Sequence, residues 1–241
     1  LAVILEHGMR AMLANGEDLF YYLTLMNENY VHAILPVGAE EGVVRGMYLI
    51  RPSNIAPAVS LAGESATAGK SSPVRPRARV QLLGSGAILR EVLAAADVLE
   101  RDWDVACDVW SVTSFTELRR SGLETARWNR LHPHETARQS WVEKCLGSTF
   151  GPIVAATDYV RAVPDLIRPW ISRRFDNLGT DGFGRSDTRS ELRRFFEVDS
   201  KSIAFAALSA LTREGDLDRT VVSKFMSRYG FEPPSTPSWA D

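Results

Sequence analysis

The feature that most constrains this 241-residue chain is an alternation of short apolar runs and helical periods that begins at residue 80. Residues 80–83 read as a strand, Gly84-Ser85-Gly86 as a turn, and 87–101 as a helix. In that helix Ile88, Val92, Ala95, Ala96 and Leu99 fall at helical spacing. Residues 107–112 are the next strand, followed by helical stretches near 115–130 and 137–147. Residues 153–157 make a short strand. The stretch 158–174 then reads as a helix interrupted near Pro164 and Pro169, since proline removes a backbone donor and crowds the preceding turn. A last short strand precedes Gly179, and helices are expected near 187–195, 199–214 and 217–229. Strands that alternate with helices pair through crossover connections, which join parallel neighbours. The fold class is therefore α/β, a parallel sheet flanked by helices.

Upstream, residues 1–14 read as a helix stopped by Asn15-Gly16. Residues 19–26 form a continuous apolar and aromatic run, the pattern of a strand buried on both faces. It leads into Asn27-Glu28-Asn29-Tyr30, at the end of a strand where loops of a parallel sheet meet ligands. The chain opens in mid-periodicity, without Met or signal-peptide architecture, and is read as a segment of something longer. Residues 51–79 are rich in Pro, Ser, Ala and Gly and hold no lasting period, so a mobile linker is expected there. Arg51, Lys70, Arg75, Arg77 and Arg79 against Glu64 make this stretch locally basic, which fits a solvated linker better than a polyanion site.

Composition removes several classes of function. The 28 Lys and Arg against 30 Asp and Glu leave a net charge of −2, without the cation surplus of a general nucleic-acid binder. No apolar run approaches the roughly 20 residues that span a bilayer, so no membrane role is expected. Cys107 and Cys145 are too few for a disulfide framework, and a reducing cytoplasm is the expected compartment.

Candidate chemistry is sparse. Gly84-Ser85-Gly86 opens a helix after a strand, where free backbone N–H groups suit a phosphate; a tight turn explains the two glycines equally well, and no third glycine follows. His132 and His134 flank Pro133, whose extended backbone sends the two rings to opposite sides, against shared metal ligation. Ser111, Ser114 and Thr116 lie near Asp108 and Glu117 but in no nucleophile elbow. The stretch 180–187 is richer: its glycines permit an unusual backbone path, and Ser186 or Asp187 suits the cap of the next helix. Arg185 suits a bidentate carboxylate or phosphate contact, or a structural pair with a neighbouring acid. His32, Arg185, Ser186 and Asp187 are the candidate interface or anion contacts.

Six stretches carry a family resemblance: YYLTLMNENY (21–30), GAEEGVVRGMY (38–48), VQLLGSGAILREV (80–92), SVTSFTELRRSG (111–122), RWNRLHP (127–133) and LGTDGFGRSDTRSELRRFFEVD (178–199). Together and in this order they resemble the C-terminal part of the decarboxylating component of homodimeric bacterial pyruvate dehydrogenases, thiamine-diphosphate enzymes of the transketolase-like superfamily. The resemblance implies an enzyme that decarboxylates pyruvate and reductively acetylates the lipoyl group of a partner dihydrolipoamide acetyltransferase. It implies that residues 1–37 are the last helix and strand of a pyrimidine-binding domain, and 38–241 a transketolase-like C-terminal domain serving dimerisation and partner contact. In such enzymes thiamine diphosphate is held through magnesium by a Gly-Asp-Gly motif followed by Asn, and no Gly-Asp-Gly occurs here. Thiamine diphosphate and magnesium are accordingly assigned to the parent enzyme, with no catalytic, cofactor-binding or metal residue placed on this segment, which by itself is expected to be inactive. Two departures stand out: the family's Asn-Glu-Asn-Tyr-His-Met-Pro reads Asn27-Glu28-Asn29-Tyr30-Val31-His32-Ala33 here, and Val37 replaces the usual Glu. The alternatives are a free-standing, non-catalytic interaction module, or a superfamily member acting on another 2-oxo acid or a sugar phosphate.

Overall fold

The computed structural model describes residues 1–55, 78–232 and 236–240. Its centre is a five-stranded sheet built from β1 (Met47–Arg51), β2 (Arg79–Ser85), β3 (Ala106–Val112), β4 (Ile153–Ala156) and β5 (Phe175–Leu178), in the order β1-β3-β2-β4-β5. The pairs β2–β3, β2–β4 and β4–β5 are parallel, as expected. The edge adds one antiparallel pair to this sheet: β1 lies antiparallel to β3 with Met47 opposite Val112. A five-residue edge strand has no period long enough to announce itself; its pairing with β3 defines it.

Nine helices surround the sheet among the described residues: α1 (Ala2–Met9), α2 (Glu40–Arg45), α3 (Leu89–Trp103), α4 (Phe115–Leu131), α5 (Trp141–Leu146), α6 (Ala162–Asp165), α7 (Arg189–Phe195), α8 (Ser200–Glu214) and α9 (Thr220–Tyr229). Alternation along the strands splits the core in two. Val80 and Leu82 of β2, Cys107 and Val109 of β3, and Val154 and Ala156 of β4 meet α3 and α8, where Leu99, Ala207 and Leu211 are fully buried. Leu83, Trp110 and Ala155 point the other way, against Leu118 of α4, Val142 of α5 and Ile167. The result is a three-layer α/β/α sandwich. Side-chain caps fix several helix starts: Ser140 and Glu143 form a reciprocal capping box on α5, and Asp199 accepts from Ser202 N at 2.9 Å on α8.

Three expectations change. Residues 19–26 form no strand: no strand among the described residues pairs with them, and Phe20 and Tyr22 are 88% and 85% exposed. An apolar run becomes a strand only when a ladder satisfies its backbone. The stretch 158–174 is not a long helix but the single turn of α6 and a 3-10 turn at Arg168–Trp170, since two prolines cannot share one helical ladder. The expected linker 51–79 is shorter at both ends, with Arg51 in β1 and Arg79 in β2; residues 56–77 lie outside the described residues. No helix among the described residues is long and apolar enough to cross a membrane.

Candidate functional site

The chain leaves β2 through α3 on one face of the sheet, and leaves β4 through α6 on the other. Two connections diverging from adjacent parallel strands open a crevice at their C-terminal ends. Its floor is polar. Ser85 Oγ and Thr157 Oγ1, both buried, lie 2.7 Å apart in a hydrogen bond, and Thr157 Oγ1 also accepts from Tyr159 N at 3.2 Å. Gly86 holds φ +54°, which side-chain-bearing residues rarely adopt, and a Cβ there would stand 3.4 Å from Asp158 Oδ1. Burial pushes the Asp158 carboxyl up, against the opposing pull of its own backbone N–H and of Arg193.

The mouth of the crevice is held by one carboxylate and three guanidinium groups. Glu28 accepts from Arg90 Nη1 at 3.0 Å and from Arg193 Nη2 at 2.8 Å, with Arg189 Nε at 3.7 Å. Arg90 sits in the first turn of α3; Arg189 and Arg193 are four apart on α7 and share a face. The Glu28 and Arg193 side chains are only 16% and 14% exposed. Burial would raise the Glu28 carboxyl, but the hydrogen bond and charge of Arg193, with Arg189 and Arg90, hold it below the ordinary carboxylate range. Neighbouring contacts fix both partners. Arg193 Nη1 donates to Glu91 Oε1 at 3.2 Å, and Glu91 Oε2 accepts from Ser200 N at 3.0 Å. Asn27 Oδ1 accepts from Arg189 Nη2 at 2.7 Å, and Arg90 lies over the Tyr30 ring at 4.9 Å.

Of the residues expected from sequence, His32 reaches this neighbourhood, exposed, with its ring 4.7 Å from Tyr30. Arg185 lies over the Phe195 ring at 3.9 Å. Ser186 is exposed, and Asp187 Oδ1 accepts from Thr188 N at 2.6 Å. Neither caps α7: its N-cap is Thr188, whose side chain accepts from Glu191 N, because the bonded N–H must lie three residues on. His132 stacks on Trp128 at 4.4 Å and its Nδ1 meets Trp128 O, so its role is structural. Ser114 caps α4. Sequence reasoning missed Glu28, Arg90, Arg189 and Arg193 as a unit. They lie up to 165 residues apart, and only the spacing of the two α7 arginines hinted at a shared face.

Comparison with known proteins adds the family. Residues 69–199 match the model of the transketolase-like TK C-terminal domain, and residues 1–33 that of the pyruvate dehydrogenase E1 component middle domain. The chain is 48% identical over 234 residues to the pyruvate dehydrogenase E1 component of Pseudomonas aeruginosa and 49% over 233 residues to that of Cupriavidus necator. Each alignment takes 97% of this chain and 24% of the relative. The Escherichia coli E1 component is 39% identical over 234 residues, again 24% of its length. The chain thus spans about a quarter of the length of the curated relatives it matches.

Proposed function

This chain belongs to the transketolase-like C-terminal domain family, and from that premise we propose that it is the C-terminal part of a cytoplasmic, thiamine-diphosphate-dependent pyruvate dehydrogenase component. The parent would decarboxylate pyruvate and reductively acetylate the lipoyl group of dihydrolipoamide acetyltransferase, acting as a homodimer. What supports this reading is similarity along nearly the whole chain, from the end of the middle domain through the C-terminal domain.

The single observation that gives this segment its own role is the Glu28 contact. Glu28 lies in the stretch similar to the middle domain, residues 1–33, while Arg90, Arg189 and Arg193 lie in the stretch similar to the C-terminal domain, 69–199. Charge-assisted hydrogen bonds of this kind are stronger than neutral ones and specific in direction. On this reading Glu28 ties the end of the middle domain to the C-terminal domain. His32, Arg185, Ser186 and Asp187 flank this tie and are proposed as interface contacts.

Among the described residues no three His, Cys, Asp or Glu side chains gather to hold a metal ion, and the sequence lacks Gly-Asp-Gly. Magnesium requires several hard oxygen ligands in near-octahedral array. Cofactor binding is proposed to lie in other parts of the parent enzyme. The test is turnover: the intact protein, given thiamine diphosphate, magnesium and pyruvate, should acetylate a lipoyl domain. Absence of pyruvate-dependent lipoyl reduction, or preference for another 2-oxo acid or a sugar phosphate, would overturn the assignment.

A further inference from the structure

Beyond β5 the glycine-rich loop 179–184 passes beneath residues 236–240, which come to it from past the end of α9. We propose that residues 236–240 act as a strap that sets the path of this loop and so presents the exposed arm 183–187. Arg161 is the post to which both are tied. Its guanidinium lies over the Trp239 ring at 5.2 Å. Its backbone N–H donates to Asp181 Oδ1 at 3.0 Å, and its Nε stands 3.6 Å from Asp181 Oδ2. Strap and loop also bond directly, with Ser238 Oγ donating to Asp181 O at 2.8 Å.

The fit between them is close. Gly182 holds φ +101°, and a Cβ there would stand 2.5 Å from Ser238 O and 3.0 Å from Trp239 Cα. Backbone therefore lies on backbone, at a separation that only glycine permits. Before this crossing the loop is fixed to the sheet. Thr180 N donates to Tyr159 O at 2.9 Å, and Thr180 Oγ1 to Asp158 O at 2.7 Å. After it the chain is open: residues 183–187 are all exposed, Phe183 by 82%, and hold no helix or strand. The strap thus sits where the anchored half of the loop hands over to the exposed half.

The strap is also light enough to release without disturbing the core. Trp239 is 52% exposed, so its cation–π contact with Arg161 is of the weak, solvated kind. Segments held by few buried contacts open far more often than the strands they lie on. Order in the loop therefore depends on a closure that can open while β4, β5 and α8 stay folded. The arm it controls carries Arg185, Ser186 and Asp187. That these three serve an interface rests on the proposed function, whereas the strap itself does not.

The test is hydrogen exchange in the intact protein over residues 179–187, with β4 and α8 as internal references, and the rate of tryptic cleavage after Arg185. Neither readout needs turnover, so failure here is separable from failure of the enzyme assignment. Trp239→Ala should raise both rates roughly three- to tenfold, the range set by losing one half-exposed cation–π contact. Exchange in β4 and α8 should stay as it was. Trp239→Phe keeps a ring for Arg161 and should restore most of the protection. Ser238→Ala removes the bond to Asp181 O and should loosen the same loop and nothing else. Rates in Trp239→Ala equal to those of the unaltered protein would overturn the proposal. So would a Trp239→Phe variant as loose as Trp239→Ala, or a rise in exchange shared equally by β4 and α8.

Discussion

Gln81 is the buried polar residue whose replacement best tests the packing of the sheet. It sits in the middle of β2, fully buried, and every polar atom of its side chain is used. Its Oε1 accepts from Trp110 Nε1 at 2.9 Å; its Nε2 donates to Asp108 Oδ2 at 2.8 Å and to Phe150 O at 3.1 Å. Gln81→Met keeps the length and volume of the side chain and removes all three bonds. Their losses are unequal. Asp108 retains Arg79 Nη1 at 2.6 Å and Ser53 N at 2.9 Å, and Phe150 is exposed enough for water to replace the amide. Trp110 Nε1 is stranded on a residue only 7% exposed, which costs about 1–3 kcal/mol, and one lost charge-assisted bond adds about 1 kcal/mol. The sum is about 3 kcal/mol, or a fall in Tm of roughly 6–12 °C for a chain of this size. Calorimetric melting of Gln81→Met, Trp110→Phe and the double variant closes a cycle. The double variant should be more stable than additivity requires by at least about 1 kcal/mol, because it removes donor and acceptor together. A coupling below about 0.5 kcal/mol, or a Tm fall under 2 °C in Gln81→Met, would refute the reasoning.

Gly122→Ala should destabilise despite its helical position: the new Cβ would lie 2.2 Å from Trp170 Cε2, and the cost of displacing that ring, about 1–3 kcal/mol, exceeds the helix-propensity gain of ~1 kcal/mol. Denaturant unfolding checks the sign. Asp102 accepts from Arg101, from Tyr229 Oη and from Arg228 Nη2, and these partners hold its carboxyl down at about 2. Because the folded value lies below the unfolded one, the tie of α9 to α3 is fully present above the ordinary carboxylate range and lost as pH falls through about 2. At pH 6 the amides of α9 should be less protected from hydrogen exchange in Asp102→Asn than in the unaltered protein, and equal protection in both would refute the tie. Burial pushes the Cys145 thiol up to about 11 and the Cys107 thiol higher still. At pH 8 neither should react rapidly with a disulfide reagent, at pH 10 Cys145 should react first, and Cys107 should wait for unfolding.

Local sequence determined what depends on short-range physics. The runs that became β2, β3 and β4 are apolar on both faces, and a strand covered by helices on both sides requires that. Val92, Ala95, Ala96 and Leu99 named the buried face of α3 because helical spacing alone gathers them. The family was legible too, in six stretches that keep their order along the chain. Tertiary structure decided the rest. β1 is a strand through its pairing with β3, and the aromatic run 19–26, more strand-like in sequence, is none because no strand among the described residues pairs with it. The site followed the same rule. Arg185, Ser186 and Asp187 stood out for their glycine-rich setting, yet Glu28 takes its grip from Arg90, Arg189 and Arg193, on elements that meet only when the sheet has formed. Propensity and period act over a few residues, whereas an ion pair across 165 residues exists only once the fold has closed that loop.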